Sequence, residues 1–419
     1  MAALLFISFI LLLLLGVPVA FSIAISALLV LMKGDVQLLM IVQRMFTAAD
    51  SFSLIAVPFF ILAGDLMSKG TVSKVLVEFA EACLGMIKGG LSIVSVLAGM
   101  FFAAISGSGA ATTAAVGATL IPELKKRGYD EGRSAALIAA AGTIGVVIPP
   151  SVPMVLYAVI AEVSVNTLFK NGFVPGVLMG LILIIISLYE AKKFNYPRGT
   201  RFSIKNVIKT FFKAIWGILM PVIILGGIFS GYFTPSEAAD VAVIYAVLVS
   251  VFLYRDLGPK ELFNLMKGSA KTSAVIMIII SCSGPFSWVL ANWKIPEAIS
   301  GAVLGVSSNP YIIMFLIAIT VLIAGVFMET SSAIIILTPV FLPLIKAMGI
   351  SLIHFGIVFV VGIAIGMITP PVAINLFVAS GITGLPIEKI AKAVIPYLFG
   401  LIVVFFLILY VPMLVPGLM

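Results

Sequence analysis

The feature that most constrains the fold is a polar but uncharged segment inside an apolar one. Residues 102–117 read FAAISGSGAATTAAVG, between apolar arms at 89–100 and 118–122. Inside a bilayer, irregular backbone must be buried in protein or line a wet cavity, because no water is there to bond its N–H and C=O groups. We therefore predict a helical hairpin whose tip, Ser106-Gly107-Ser108-Gly109, ends part-way through a membrane. The alternative is a pair of closely packed helices with small-residue contacts.

Composition indicates a helical membrane protein. Of the 419 residues, 62% are hydrophobic and 10% are charged, whereas a soluble globular chain is about half apolar and about a quarter charged. The basic residues behind the net charge of +8 collect in short loops, as the positive-inside rule expects, so they do not indicate a nucleic-acid partner. Cys83, Cys282 and the single His354, without HExxH, CxxC or P-loop patterns, indicate no disulfide framework, metal centre or enzyme.

The tip segment has a counterpart in the second half of the chain. Residues 142–158 read GTIGVVIPPSVPMVLYA and residues 366–379 read GMITPPVAINLFVA, so that their Pro-Pro pairs align. Weaker matches relate residues 102–113 to residues 327–338, and the upstream pair Pro58-Phe59 to Pro285-Phe286. Three matches in the same order predict two homologous halves, each with a hairpin followed by a helix broken at Pro-Pro. Broken segments at corresponding positions point to the binding site of a transporter.

The predicted fold is an all-α polytopic membrane protein built from inverted repeats. We expect roughly nine full crossings and two re-entrant hairpins. The predicted parts are a first repeat at 1–190 with its hairpin at 89–124 and broken helix at 134–160, a cytoplasmic basic loop and connecting helix at 191–235, and a second repeat at 236–419 with its hairpin at 311–346 and broken helix at 352–380.

Several segments carry more specific expectations. Residues 2–31 are apolar, too long for a signal-peptide core and not preceded by basic residues, which predicts a retained first span with a kink at Gly16-Val17-Pro18. Residues 71–88 and 256–271 alternate charged and apolar residues at helical spacing, which predicts two surface helices. Residues 192–213 carry seven basic residues and no acid, which predicts a cytoplasmic loop before a connecting span at 214–230.

The second half adds three expectations. GYFTPSEAA predicts a helix start with Thr234 as N-cap, Pro235 at the first helical position and Glu237 in the first turn. A span is predicted at 272–290, and residues 292–310 are predicted to link it to the second hairpin.

Two Na⁺ sites follow from the paired hairpins. Tips that enter from opposite faces meet near the midplane, each beside the Pro-Pro break of its own half. Uncharged oxygens suit weakly held Na⁺ better than Ca²⁺ or Mg²⁺, which prefer carboxylates. The predicted ligands of the first site are Ser106, Ser108, Thr112 and Thr113, with the main chain of Thr143, Gly145 and Pro149. Those of the second site are Thr330, Ser331, Ser332, Gly366, Thr369 and Asn375.

An organic anion is expected between the tips, where helix N-termini and Na⁺ ions stabilise negative charge. The predicted substrate contacts are Ser106, Gly107, Ser108, Gly109, Thr143, Glu329, Thr330 and Asn375. Glu329 is an ionisable residue deep in an apolar segment, and such a residue is a functional candidate. It is a Na⁺ ligand, a proton-coupled group or a carboxylate that caps the following helix. Asp65, Glu162 and Asp240 lie near predicted span ends and are expected to be interfacial.

Four ordered motifs resemble the large membrane subunit of tripartite ATP-independent periplasmic (TRAP) transporters. They read SGSGAATTAAVGATLIPELKKRGY, AAAGTIGVVIPPSVPMVLYA, GYFTPSEAA and GMITPPVAINLFVA. The resemblance implies an elevator-type, Na⁺-driven importer of organic acids, such as C4-dicarboxylates or sialic acid, with an ion transporter superfamily-like fold in the bacterial inner membrane. It also implies two partners, a periplasmic substrate-binding protein and a separate small four-helix membrane subunit. No fused copy of that small subunit is expected, because the chain begins directly with the first span.

The second tip departs from the first, since Glu329-Thr330-Ser331-Ser332 stands where the first tip has a Gly-Ser run. This weakens the prediction of the second Na⁺ site. The competing class is a stand-alone Na⁺- or H⁺-coupled anion symporter or exchanger with the same two-hairpin fold. A carrier that depends on a binding protein needs an outer docking face and should be inactive alone. A stand-alone carrier needs no docking face and should be active by itself.

Overall fold

The computed structural model describes residues 1–68, 71–198, 202–306 and 309–414. Its α-helices, numbered in chain order, are α1 Ala2–Leu14, α2 Val19–Lys33, α3 Leu39–Ala49, α4 Ala56–Ser68, α5 Thr71–Leu84, α6 Gly90–Ser106, α7 Gly109–Lys126, α8 Glu131–Thr143, α9 Val152–Ala161, α10 Val165–Lys193, α11 Ile204–Ser230, α12 Pro235–Val247, α13 Pro259–Asn292, α14 Ile295–Val306, α15 Pro310–Phe327, α16 Thr330–Ala347, α17 Leu352–Gly366, α18 Ile374–Thr383 and α19 Ile387–Leu414.

Within the described residues, seven helices are long and apolar enough to cross a membrane. They are α10, α11, α13, α15, α16, α19, and α12 together with its π-helical continuation Leu248–Leu253. The pair of Leu39–Ala49 and Phe52–Ser68, bent by 63°, makes an eighth if it is counted as one span. The all-helical, polytopic fold class predicted from the sequence is confirmed.

The N-terminal segment corrects one prediction. Residues 2–31 do not form a single span, because the chain turns between α1 and α2, and these two helices pack against each other. Gly16 has a left-handed φ of +79°, a conformation that glycine adopts without steric cost. Pro18 follows at once and cannot continue the preceding helix. Each helix is then only about 20 Å long, shorter than the roughly 30 Å hydrocarbon core.

Three other boundaries differ from expectation. Helix α11 begins at Ile204, so Lys205, Lys209 and Lys213 lie on a helix and not in a loop, while Arg201 lies outside the described residues. The predicted surface segment 256–271 and span 272–290 fall on one continuous helix, α13, because the single Gly268 between them is too weak to break it. The link at 292–310 contains α14.

At both predicted hairpins two helices are joined by a short turn, and both Pro-Pro pairs interrupt the helices around them. The turn at Gly107-Ser108 joins α6 to α7, and Met328-Glu329 joins α15 to α16. Residues 147–151 separate the α8 arm from α9, and 367–373 separate α17 from α18; the Pro-Pro bond in each break is cis. The Thr234 cap is also confirmed, since Thr234 Oγ1 accepts from Glu237 N at 3.3 Å and Glu237 Oε2 accepts from Thr234 N at 2.8 Å.

The two halves interlock around the breaks. Helix α18 of the second half packs on α7 and α8 of the first, and α9 of the first half packs on α16 of the second. A second group of helices is built around α4, which packs on α12 and α13, while α2 and α3 also pack on α13. Helix α5 lies between the groups, against α11 and α6. The hairpins and breaks thus form one body, and the α4–α12–α13 group stands beside it.

Candidate functional site

A cavity of about 270 Å³ lies where the two hairpin tips meet. It is bounded by both tips, both breaks and one face each of α4 and α13. Its lining residues are Ile61, Gly64, Asp65, Ser106, Gly107, Ser108, Gly109, Ala110, Ala111, Val146, Val152, Pro153, Thr272, Ile276, Glu329, Thr330, Ser331, Met367 and Ile374. The chain segments that the sequence pairs as two hairpins and two breaks therefore enclose one space.

The first tip concentrates uncharged oxygens. Ser106 Oγ and Thr112 Oγ1 share a hydrogen bond of 2.8 Å, and Thr112 Oγ1 donates to the Ser108 main-chain oxygen at 2.8 Å. Thr113 Oγ1 donates to Gly109 O at 2.9 Å. Ser106, Thr112 and Thr113 are all buried. Because α7 begins at Gly109, its first helical turn holds the Thr112 and Thr113 hydroxyls beside the carbonyl groups of the tip.

Glycines let the first break approach this tip. A Cβ on Gly145 would lie 2.6 Å from Thr112 Oγ1 and 2.7 Å from the main-chain oxygen of Ser108. A Cβ on Gly142 would lie 1.9 Å from Thr113 Oγ1. The backbone of α8 and its break therefore abuts the tip, and no side chain fits between them.

The structure also defines the neighbours of Gly107 and of the Thr143 hydroxyl. Gly107, at φ +59°, approaches the break at the carbonyl oxygen of Pro150, 2.9 Å from where a Cβ would stand, and not at Pro149. The Thr143 hydroxyl is turned back to its own helix and donates to Ala140 O at 2.7 Å. The first tip thus meets the break of its own half, with Pro150 as the neighbour that sequence reasoning missed.

At the second tip, Glu329 caps α16. Its carboxylate accepts hydrogen bonds from Ser331 N at 2.9 Å and Ser332 N at 3.1 Å, and from Ser331 Oγ at 3.1 Å. Thr330 Oγ1 lies 3.5 Å from Met367 Sδ in the break of its own half. Among the alternatives raised for Glu329, the geometry shows the helix cap, and the residue also lines the cavity.

Of the other residues assigned to the second site, Asn375 is placed elsewhere. Gly366 lies against Gly325 of α15, whose carbonyl carbon is 2.2 Å from where a Gly366 Cβ would be. The Thr369 hydroxyl donates to Ile365 O of its own helix at 2.9 Å. Asn375 lies with the first half, because α18 packs on α7 and α8, and its Nδ2 donates to Ala139 O at 3.1 Å. Periodicity within one half gives no sign of this cross-over.

The oxygens near the first tip fit Na⁺ by their chemistry. Asn375 Oδ1 is buried without a hydrogen-bond partner among the described residues, and its Nδ2 lies 3.0 Å from the Cβ position of Gly142. Amide, hydroxyl and main-chain oxygens are ligands that hard cations accept. Within the described part of the chain, no group of three or more His, Cys, Asp or Glu residues could hold a metal ion. A monovalent cation suits this donor set better than a divalent one.

Four helix N-termini line the same cavity. They belong to α7, α9, α16 and α18, through Gly109, Val152, Thr330 and Ile374. Each helix start carries roughly half a positive charge. Among the described lining residues there is no Lys or Arg, so these helix starts are their source of positive potential, against the carboxylates of Asp65 and of Glu329, which caps one start. Main-chain N–H groups at the helix starts can therefore donate hydrogen bonds to an anion in this cavity.

Asp65 lines the cavity between the hairpin tips, a position that sequence reasoning missed. It was expected at a membrane interface, but it lines the cavity from α4, and Ser269 Oγ of α13 donates to its Oδ2 at 2.6 Å. The preceding Gly64 lets α4 approach the tip, since its Cβ would lie 2.8 Å from Ser106 Cα. The repeated Pro-Phe pair upstream on the same helix was the available signal.

Comparison with known proteins decides the family. The family model described as "Tripartite ATP-independent periplasmic transporter, DctM component" matches residues 6–414. The chain belongs to the DctM family of TRAP transporter large membrane subunits. It is 43% identical to the C4-dicarboxylate TRAP transporter large permease protein DctM of Pseudomonas aeruginosa, covering 88% of this chain and 86% of that protein. It is 37% identical to the 2,3-diketo-L-gulonate TRAP transporter large permease protein YiaN of Escherichia coli, covering 93% of each.

A longer relative and a solved structure complete the comparison. This TRAP subunit is 40% identical to the isethionate TRAP transporter permease protein DctMQ of Oleidesulfovibrio alaskensis, over 96% of this chain and 64% of that protein. The crystal structure of the Alcanivorax borkumensis YdaH transporter superposes with a TM-score of 0.66 at 14% identity, over 89% and 87% of the two chains. That likeness shows a shared fold. The relatives are transporter permeases, and this TRAP subunit is a multi-pass membrane protein.

Proposed function

We propose that this TRAP subunit is the translocation subunit of a Na⁺-driven, binding-protein-dependent importer of an organic acid in the bacterial inner membrane. The observation that carries the proposal is the convergence of four helix N-termini on one cavity without a basic side chain among its described lining residues. An anion there would be stabilised by main-chain dipoles and by bound cations. Both require the two hairpin tips to lie next to each other.

The proposed substrate is a C4-dicarboxylate or a related organic acid. Sialic acid is a further candidate within this class. Three relatives are named for C4-dicarboxylate, isethionate and 2,3-diketo-L-gulonate, and all three are organic anions. The substrate would lie between Ser106–Gly109 of the first tip and Glu329-Thr330 of the second. The cavity of about 270 Å³ suits a small acid better than a large one.

Na⁺ would be held best at the first tip. Ser106, Thr112, Thr113, the Ser108 carbonyl and the Asn375 amide oxygen supply uncharged donors there. The second tip offers Thr330, Ser331 and Ser332, while the Asn375 amide oxygen lies with the first half. The chemistry that Na⁺ supplies is positive charge beside the anion. The residues of the chain orient both and exclude water.

The proposed movement is an elevator. The hairpins and breaks are interlocked as one body, which can move as a unit past the α4–α12–α13 group. Close approach of Gly64 to the Ser106 backbone supports a sliding contact, since no side chain from this position projects between the two bodies. A periplasmic binding protein and a small four-helix membrane subunit would complete the system. The competing proposal is a stand-alone symporter or exchanger of the same fold.

The test is uptake of labelled C4-dicarboxylate, isethionate and sialic acid into proteoliposomes. The subunit is compared alone, with the small subunit, and with both the small subunit and the binding protein, each with and without an inward Na⁺ gradient. Uptake that needs all three proteins and Na⁺ supports the proposal. Uptake by the chain alone would overturn the binding-protein-dependent importer, and full uptake without Na⁺ would remove the proposed Na⁺ sites.

A further inference from the structure

A long apolar groove lies on one side of α10, where this helix packs beside α6 and α11. Its volume is about 490 Å³, and its described lining residues are all apolar. Along α11 the lining runs from Ile218 to Phe229, which is roughly 16 Å at a helical rise of about 1.5 Å per residue. One leaflet accounts for half of the roughly 30 Å hydrocarbon core. The groove is therefore about as long as one leaflet.

A second groove lies on a neighbouring side of α10, between this helix, α17 and α19. Its volume is about 350 Å³, and its described lining is apolar apart from Lys170, Asn171 and His354. Asn171 Nδ2 donates to Thr167 O at 2.9 Å, and His354 Nε2 is hydrogen-bonded to Leu409 O at 3.0 Å. These two side chains are engaged within the protein, and Lys170 is the group left for a ligand.

The two grooves flank the same stretch of α10, in its N-terminal half. Phe173 and Val177 line the first groove, whereas Val174 and Leu178 line the second. Successive residues are about 100° apart around an α-helix, so the grooves open on neighbouring sides of α10. The other end of this helix carries the basic pair Lys192-Lys193, which the positive-inside rule places at the cytoplasm. Both grooves therefore belong to the outer half of the membrane.

Lys170 stands where the two grooves begin. It lines the second groove, and its Nζ lies 5.8 Å from the centre of the Phe229 ring, which lines the first. Lys170 is exposed, and its ammonium group forms no ion pair with the described residues. One turn earlier on α10, Asn166 donates from Nδ2 to Ile228 O at 3.2 Å and ties α10 to the end of α11. An anionic group on Lys170 would therefore lie at the mouth of both grooves.

We propose that Lys170 and the two grooves bind one diacyl phospholipid of the outer leaflet, with the phosphate on Lys170 and one acyl chain in each groove. A phospholipid carries an anionic phosphate beside two apolar chains of leaflet length. Its tails are as apolar as the surrounding lipid, so the grooves select by shape and the lysine selects by charge. The site needs neither the cargo nor Na⁺, so its test is separate from that of the proposed function.

The first groove gives this lipid a place in the architecture. It separates α11 from α6 and α10, and α11 packs on α12 of the neighbouring group of helices. An acyl chain there would fill the space between α11 and the body that contains the hairpins and breaks.

Native mass spectrometry of the purified, delipidated full-length subunit measures the binding. Dipalmitoyl phosphatidylglycerol is titrated, and the fraction of protein that carries one lipid is recorded. Lys170→Gln should weaken binding about fivefold, the effect of one lysine near a membrane surface, and Lys170→Arg should restore it. Lys346→Gln is the matched control, because Lys346 is an exposed lysine on α16 outside the described lining of both grooves. It should bind lipid normally.

The grooves are tested by filling one of them. A Cβ on Gly226 has nothing within 4 Å, and Gly226 lines the first groove, so Gly226→Leu should lower lipid binding as Lys170→Gln does. Gly268→Leu is the control, since Gly268 is equally open but lies on α13, outside the described lining of both grooves. Palmitoyl lysophosphatidylglycerol, with the same headgroup and one chain, should bind more weakly than the diacyl lipid. Inorganic phosphate alone should not displace the lipid.

Three outcomes would overturn the site. The first is lipid binding by Lys170→Gln that equals that of Lys346→Gln, which remains decisive even if Gly226→Leu fails to fold. The second is one-chain lipid or inorganic phosphate that competes as well as the diacyl lipid does. The third is loss of the bound lipid when the small membrane subunit is added, which would make this face a protein contact.

Discussion

Asn375 donates a hydrogen bond from Nδ2 to the main-chain oxygen of Ala139, 3.1 Å away and 236 residues earlier in the chain. The bond joins the helix after the second break to the helix before the first. The side-chain oxygen of Asn375, Oδ1, is buried without a hydrogen-bond partner among the described residues. Asn375 thus links the two halves with one end of its amide and offers a ligand oxygen with the other.

Replacing Asn375 with Leu should therefore impair both stability and Na⁺ use. We expect a loss of about 1 kcal/mol in the free energy of unfolding from the hydrogen bond, and roughly a tenfold higher Na⁺ concentration for half-maximal uptake, which corresponds to about 1.4 kcal/mol. Thermal unfolding in detergent and Na⁺ titration of uptake measure the two effects. Asn171→Leu, which loses only a bond to Thr167 O of its own helix, is the control. An unchanged Na⁺ titration for Asn375→Leu would exclude the amide oxygen as a ligand.

Thr112→Val removes one hydroxyl at nearly constant shape. Thr112 Oγ1 bonds both Ser106 Oγ and Ser108 O at 2.8 Å, so its loss takes one donor from the first Na⁺ site and loosens the tip. We expect the Na⁺ requirement of uptake to rise about tenfold. In Thr320→Val the lost hydroxyl only bonds Leu316 O on an exposed face of α15, and the Na⁺ requirement should be unchanged. Equal behaviour of the two variants would remove Thr112 from the site.

Gly145→Ala tests the close approach of break and tip. The added Cβ would lie 2.7 Å from the Ser108 main-chain oxygen, which cannot move as a flexible side chain would. Overpacking of this kind costs about 1–3 kcal/mol, and we expect uptake to fall to background while the protein still inserts in the membrane. Gly381→Ala, with nothing within 4 Å of the new Cβ, should transport normally. Normal uptake by Gly145→Ala would show that tip and break are not in contact during transport.

Substitutions at Glu329 distinguish its role as a helix cap from a role as a proton carrier. Glu329→Gln keeps an acceptor for Ser331 N and Ser332 N, so we expect most of the uptake and an unchanged pH profile. Glu329→Ala loses the cap and should lower stability by about 1 kcal/mol. Glu237→Ala removes a comparable cap on α12, away from the described lining of the tip cavity, and serves as the control for capping alone. A pH profile that flattens in Glu329→Gln would instead identify a proton-coupled carboxylate.

Local patterns in the sequence were sufficient to predict the helical elements around the site. The Gly-Ser run at the first tip, the two Pro-Pro pairs and the Thr234 cap all act through neighbouring residues, and each appears in the structure where its pattern predicts. Segment ends were less predictable. The break at Gly16-Val17-Pro18 is local in origin, but how far the chain turns there depends on the packing of α1 on α2. The continuity of α13 shows that a weak breaker such as Gly268 does not end a helix.

The sequence by itself determined that this chain is a polytopic helical membrane protein with two hairpins and two broken helices. It did so because a polar tip in an apolar segment has few solutions in a bilayer. Only the tertiary structure decided which residues meet. Asn375 crosses to the first half, and Asp65 lines the cavity from a neighbouring group of helices. These placements depend on contacts between segments far apart in the chain, and the periodicity of a single helix does not specify them.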